Sequence, residues 1–179
     1  MAQSISKVQD ANVYINGTST HGQASEVSLP EIQFSKSEYK ALGMLGVQKF
    51  FNGFDALEAT IKWNYPDNDV QIACANPRKV VELQVRSSKA VYVGGGISEE
   101  QPIIVHLKGT PNNHGVGSFK AKEDTDLSTK FDISYLKQEV NGREIVEIDV
   151  ENNIFRIDGV DIMAKYKQNL GIWSNGRRR

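Results

Sequence analysis

Hydrophobic and polar positions along this chain alternate with a period of two far more often than with a helical period. In Ala56 to Trp63 (ALEATIKW), Leu57, Ala59, Ile61 and Trp63 face one way and Glu58, Thr60 and Lys62 the other. Lys79 to Val93 is Val-rich and alternates over Val81, Leu83 and Val85, and Gln101 to Gly109 (QPIIVHLKG) reads as a further strand. The clearest signal is Lys130 to Asp149: Phe131, Ile133 and Tyr135 alternate, Asn141-Gly142 turns the chain, and Val146, Ile148 and Val150 return on one face. Charged residues decorate the other side, as on a sheet with one wet face. Near the start, Asn12 to Ile15 runs into Asn16-Gly17, a type I′ hairpin signal because both central residues must take φ > 0. A second strand, Gln23 to Leu29, stops at Pro30, and Asn153 to Ile157 and Val160 flank a third tight turn at Asp158-Gly159.

Helical spacing occurs in two short places. Asn64 to Pro77 places Val70, Ala73 and Cys74 on one face, with Asp67 or Asn68 to cap the free N–H groups and Pro77 to stop the helix. Asp161 caps a second helix over Ile162 to Leu170, whose Ile162, Tyr166 and Leu170 form a stripe before Gly171 ends it. Met1 to Gln9 mixes Ser and Gln with isolated Ile5 and Val8, and residues 1–11 are expected as an arm ordered only where something docks it. Thr110 to Asp126 is expected as a polar linker, and residues 173–179 as a loose tail. Eight or nine strands with hairpin turns and two short helices predict a single mainly β (α+β) domain over 1–179, an antiparallel β-barrel or sandwich protomer with a long β-hairpin loop.

That loop is Ala41 to Leu57 (ALGMLGVQKFFNGFDAL), lying between the strand-like Glu31 to Lys40 and the alternating run that follows. It is apolar, with Lys49 and Asp55 its only charges, and Gly43, Gly46 and Gly53 each weaken a helix there by roughly 1 kcal/mol. A long loop this hydrophobic is neither disordered nor idle. Leaving about five of its large side chains in water would expose some ~500 Å² of apolar surface, on the order of 12 kcal/mol, which rivals the stability of a whole domain. Either the loop folds back over its own core or another protein chain covers it.

Composition narrows the function without naming it. Lys and Arg total 21 against 22 Asp and Glu, a balance unlike that of a dedicated nucleic-acid binder. The single Cys74 excludes an internal disulfide, and with no apolar leader it suggests residence in a reducing cytoplasm. Nothing is long and apolar enough to span a bilayer as a helix. Gly94-Gly95-Gly96 matches neither a dinucleotide fingerprint nor a Walker loop and is expected as a turn. His21, His106 and His114 are scattered, with no thiol or carboxylate at metal-ligand spacing. Glu123, Asp124 and Asp126 lack the EF-hand frame, and Arg177 to Arg179 are three charges on a tail. The carboxylate pairs Glu99-Glu100 and Glu123-Asp124 sit in polar loops, and no Ser or Cys has a base nearby, so neither an enzyme nor a cofactor is expected.

Three segments, NVYINGTSTHGQASEVSLPEI, SEYKALGMLGVQKFFNGFDALEATIKW and EVNGREIVEIDVENNIFRIDGVDIMAKYKQNLGI, resemble the major tail tube proteins of contractile-tail phages. The similarity runs from about Asn12 to Ile172 in the same order with small gaps. Its most specific part is a hairpin turn followed by G-[RK]-E-[IL]-V-E-I-D, then V/I-D-G-V-D and a short polar helix ending L/I-G-I/L. The tail WSNGRRR departs from relatives that stop near the Gly-Ile or Gly-Leu.

The resemblance implies a β-barrel-like protomer, six of which close into a ring, with rings stacked into a rigid tube inside a contractile sheath. It also implies that the loop at roughly Ala41 to Asp55 reaches the neighbouring ring, which makes Leu42, Met44, Leu45, Val47, Phe50, Phe51 and Phe54 the expected inter-subunit residues. Implied partners are further copies of the chain, the sheath, tape-measure, tail terminator and baseplate proteins, and DNA that passes through the lumen without specific binding. The implied location is the tail tube of the virion, assembled in the host cytoplasm. Two alternatives stand beside this reading. One is the tube of a headless contractile particle, an R-type bacteriocin or a type VI secretion-like system, through which no DNA passes. The other is a carbohydrate-binding or enzymatic β-sandwich, which would need aromatic platforms, whereas Trp63 and Trp173 lie far apart in sequence.

Overall fold

The computed structural model describes residues 4–117 and 127–172. Among them are twelve strands and two helices: β1 (Ser4–Ile15), β2 (Thr18–Ser19), β3 (Ala24–Ser28), β4 (Phe34–Tyr39), β5 (Gln48–Phe54), β6 (Leu57–Trp63), α1 (Asn68–Cys74), β7 (Val81–Val93), β8 (Gly96–His114), β9 (Leu127–Val140), β10 (Arg143–Asp149), β11 (Ile154–Ile157), β12 (Val160–Asp161) and α2 (Ala164–Asn169). All the pairings are antiparallel, and the main sheet runs β12-β11-β10-β9-β8-β7-β1-β2.

β9 is where this sheet forks. One edge of it pairs with β8 along most of its length, while the other pairs first with β6, over Leu127 to Ile133, and then with β10, over Tyr135 to Val140. β6 carries β3 on its far edge. The result is open and sandwich-like, not a closed barrel, with the core between the two arms of the fork. Leu57, Ala59, Ile61 and Trp63 are all buried there, together with Val13, Ile15, Leu83, Val85, Val105, Leu107 and Phe131. The indole N–H of Trp63 donates to Thr129 Oγ1 at 3.2 Å, so the largest core side chain leaves no buried donor unpaired.

Three hairpin turns follow from their residues. Asn16-Gly17, Asn141-Gly142 and Asp158-Gly159 all take positive φ at both positions, as a type I′ turn requires. Gly94 and Gly95 likewise turn β7 into β8. Gly109 answers to a different constraint. It lies at a bulge against β9, and a Cβ there would sit 2.1 Å from the carbonyl oxygen of Asp132, so only glycine lets the two backbones approach.

Several expectations are revised. Ser4 to Val8 is not an arm awaiting a partner: it is the first half of β1, paired with Lys89 to Val93 of β7. Thr110 to His114 extends β8 instead of opening a linker, while Glu123, Asp124 and Asp126 lie outside the described residues, as do residues 173–179. Asp67 stands at the α1 N-cap, yet its carboxylate accepts the Gln23 amide at 2.6 Å and caps no helix N–H. Val70 and Cys74 are buried as the helical spacing predicts. Burial pushes the Cys74 thiol up to about 11, against a smaller opposing contribution from Thr129, which keeps it protonated and inert.

Candidate assembly surfaces

The apolar stretch between β4 and β6 forms a structure of its own. β4 and β5 make a separate two-stranded sheet, from Phe34 opposite Phe54 at the root to Tyr39 opposite Gln48. What the sequence offers as a loop is thus half strand, because Gln48 to Phe54 turns back to pair with its predecessor. Gly53, at φ 131°, stands at the register shift near the root. Six to seven residues of strand carry the tip about 20 Å from the root.

An aromatic cluster holds the root. Phe54 meets Phe155 of β11 nearly edge-on, 4.7 Å between ring centroids, and Phe34 and Phe51 complete the group at 5.5 to 6.1 Å from their neighbours in the hairpin. Phe54 is therefore partly buried within its own protomer. Phe50 pairs with Tyr39, at 6.3 Å, and both stay exposed. Beyond them nothing among the described residues covers the tip. Leu42 and Leu45 stand at 105% and 110% relative exposure, and Met44 and Val47 are exposed as well. Within the protomer the seven expected residues run from an anchoring end (Phe54, with Phe51 leaning on it), through the exposed Phe50, to a presenting end (Leu42, Met44, Leu45, Val47).

A second apolar surface lies at α2. The stripe read in the sequence, Ile162, Tyr166 and Leu170, points outward, with each residue about half exposed. An ion pair reverses the helix. Lys167 is only 7% exposed and its Nζ donates to Asp161 Oδ2 at 2.6 Å, while Asp161 Oδ1 accepts the Met163 N–H at 3.0 Å. Burial pushes the Asp161 carboxyl up, but the bonds from Lys167 and Met163 outweigh it and hold the pKa below its ordinary 3.8. At the other end Gly171, at φ 69°, closes the helix, with the Ile172 N–H reaching the Lys167 carbonyl at 2.9 Å and the Gly171 N–H that of Gln168 at 3.1 Å. An apolar cavity of about 670 Å³ opens between α2 and the hairpin root, lined among others by Phe51, Phe54, Leu57, Phe155, Met163 and Tyr166.

The wet face of the main sheet is polar but nearly charge-compensated. Glu82 on β7 accepts from Lys108 on β8 at 2.7 Å, and Lys137 on β9 lies 2.7 Å from Glu139 and 3.4 Å from Glu144. The Lys108 bond holds Glu82 below the usual carboxylate range, and the Lys137 bond does the same for Glu139. Arg86 stacks over the Tyr14 ring at 5.5 Å. Glu147 is buried, although alternation placed the charges of β10 in water. It accepts the Tyr135 hydroxyl at 2.9 Å and pairs with Arg156. Burial first, and then this bond, push the Tyr135 phenol up to about 12. Val150, expected beside Ile148 in the core, is exposed beyond the end of β10.

Among the described residues no three His, Cys, Asp or Glu side chains converge as metal ligands, and no helix is long and apolar enough to cross a membrane. His106 lies on the wet face opposite Lys137, and His114 contacts Thr129 Oγ1 at 3.3 Å, so the two share no site.

Comparison with known proteins adds a lineage to this geometry. Residues 5–171 match the family model of phage tail tube protein FII. The chain is 27% identical over 170 residues to the tail tube protein of Escherichia phage P2, which covers 93% of this chain and 97% of that one. It is 25% identical over 158 residues to the major tail tube protein of Serratia phage KSP20, covering 87% and 90% of the two chains. Its fold is similar to that of the sheath/tube terminator of an extracellular contractile injection system, PVC, in the extended state, with a TM-score of 0.52 at 12% identity, covering 72% of this chain and 92% of that one.

Proposed function

Because the chain belongs to the phage tail tube protein FII family, we infer that it is the structural subunit of the inner tube of a contractile phage tail, that six copies close into a ring, and that rings stack into the conduit through which DNA is ejected. The observation that carries this reading is the hairpin tip. Four large apolar side chains stand in water at the end of a ribbon anchored at its root, and an apolar patch held out from the body is the mark of a protein interface. Tip and body are different surfaces of one molecule, so a tip that binds the body of the next copy makes a heterologous contact that propagates into a filament.

Ring closure has its own support. Among the described residues, Ser4 to Asn12 of β1 bond to β7 on one side only, and Gly96 to Gln101 of β8 likewise bond only to β7. Two open edges on one ribbon invite pairing, and cyclic assembly removes both at once. The stack needs an external stop, and a terminator of similar fold supplies one by adding to the end and offering no further acceptor, with a tape-measure protein setting the length and a baseplate the start. The sheath meets the outer surface, and the assembled tube is a virion component built in the host cytoplasm. Its work is mechanical, with no reaction to catalyse.

Negative-stain microscopy of the purified chain across a concentration series tests the reading. Rings at low concentration and tubes of constant diameter at high concentration are expected. A monodisperse monomer at all concentrations would refute it.

A further inference from the structure

One end of the hairpin holds apolar side chains out into water, and the other end borders a space that could take them. The cavity of about 670 Å³ at the root has the size of a ligand pocket, with apolar walls from the hairpin (Phe51, Phe54), from β11 (Phe155) and from the start and middle of α2 (Met163, Tyr166). Tyr166 belongs both to this cavity and to the outward stripe of α2, so the apolar surface runs on from one to the other through Ile162 and Leu170. A hairpin cannot fill the cavity at its own base, because its tip stands about 20 Å away. A tip from another copy can.

Charge sets the two ends apart in a complementary sense. Asp55, Asp132 and Asp149 line the cavity, and no lysine or arginine lines it with them. Among the described residues none of the three has a cationic partner: Asp132 accepts the Asn112 amide at 2.9 Å, Asp149 accepts the Asn152 amide at 2.7 Å, and Asp55 is exposed. The hairpin carries the opposite sign, with Lys36, Lys40 and Lys49 against Glu38 alone. Glu38 lies 3.4 Å from Lys49, which leaves Lys36 and Lys40 unpaired among the described residues, and Lys40 stands at the neck of the tip, just past the last cross-strand pair. We propose, resting on the tube reading above, that the cavity between α2 and the hairpin root is the socket for the hairpin tip of a second copy, with Leu42 and Leu45 packing against Phe51 and Tyr166 and Lys40 meeting Asp55. Each hairpin is then a plug at one end and a socket wall at the other, so consecutive copies join tip to root in a single direction.

Engineered thiols test this. On mild oxidation, tubes of the double variant Leu45→Cys, Tyr166→Cys should give a ladder of disulfide-linked multimers, and mixed tubes of the two single variants should give dimers only. A disulfide needs Cα atoms within about 7 Å, and tip and root of one chain are about 20 Å apart, so every such bridge joins two copies. Leu45→Cys combined with Ile72→Cys, an exposed position on α1, should give none. Independently, Lys40→Glu and Asp55→Lys should each raise the concentration needed for tube growth about tenfold, and the two together should restore it, because the exchange turns repulsion back into attraction. Tubes whose tip thiol bridges to position 72 or to neither position, or a charge-exchanged variant that assembles no better than its single variants, would overturn the inference and leave the tube reading intact. If the cysteine variants form no tubes, the charge exchange decides. Failure of the unaltered chain to form tubes would refute the tube reading, and this contact with it.

Discussion

Replacing Leu42 and Leu45 by Asp separates a surface made for a neighbour from one that holds the protomer together. Both side chains are fully solvated and lie beyond the last cross-strand pair of the hairpin, so neither loses a contact within its own chain. The folded subunit should therefore keep its stability to within about 0.5 kcal/mol, the usual range for surface changes away from any special feature. In the proposed stack the account differs. Each leucine covered by a neighbour contributes about 1.5 to 3 kcal/mol, so loss of both weakens every ring-to-ring contact by roughly 3 to 6 kcal/mol, before the added cost of covering a carboxylate. Even the low end is more than a hundredfold in the concentration needed for growth. Denaturant unfolding of the variant should overlay that of the unaltered chain, while sedimentation and negative stain show subunits or rings and no tubes. Tubes forming at the unaltered concentration would refute the interface, and a loss of several kcal/mol in protomer stability would refute the claim that the tip lies outside the core.

Four further outcomes follow from the packing. Gly109→Ala places a methyl group against the Asp132 carbonyl, so it should cost about 2 to 3 kcal/mol in denaturant unfolding, since two backbones must part to admit it. Lys167→Met leaves Asp161 buried without its cation and should destabilise by about 3 kcal/mol, with most of the loss recovered by the double variant Lys167→Met, Asp161→Asn. Because the Asp161 pKa is lowered on folding, its contribution is complete above the ordinary 3.8 and disappears as pH falls through the lowered folded value, so limited proteolysis should release the α2 segment only in acid below about that value. Glu147→Gln should bring the Tyr135 phenol down from about 12 but not to 10, because burial persists, and ultraviolet titration of the tyrosinate reads this directly.

The elements legible in the sequence are those whose causes are local. A type I′ turn is written in two residues, so Asn16-Gly17, Asn141-Gly142 and Asp158-Gly159 were all readable. The buried set of β6 and the inward face of α1 are likewise carried by their own periodicity. What the chain conceals depends on distant partners. α2 looks like an ordinary amphipathic helix until Asp161 draws Lys167 inward and turns the stripe out. Glu147 reads as a wet position until Tyr135 and Arg156 cover and satisfy it on that face. Ser4 to Val8 has little apolar signal because its strand is built on hydrogen bonds to β7 with both faces exposed. As for the candidate interface, its apolar character was visible from composition alone. Its division into a root that belongs to the protomer and a tip that does not rests on Phe155, about a hundred residues further along the chain.

The hairpin has a bearing on when assembly begins. A lone two-stranded ribbon is barely stable in water, and this one is fastened at one end only, so a free subunit restrains its far residues through little more than a single ladder. In the proposed tube the first encounter between two subunits must therefore supply the order that the tip lacks, whereas an incoming subunit at an established end meets acceptors already in place. Starting a filament is for this reason much harder than lengthening one. A pool of dissolved subunits can wait, at concentrations that would sustain elongation, until a preformed base gives it a place to start.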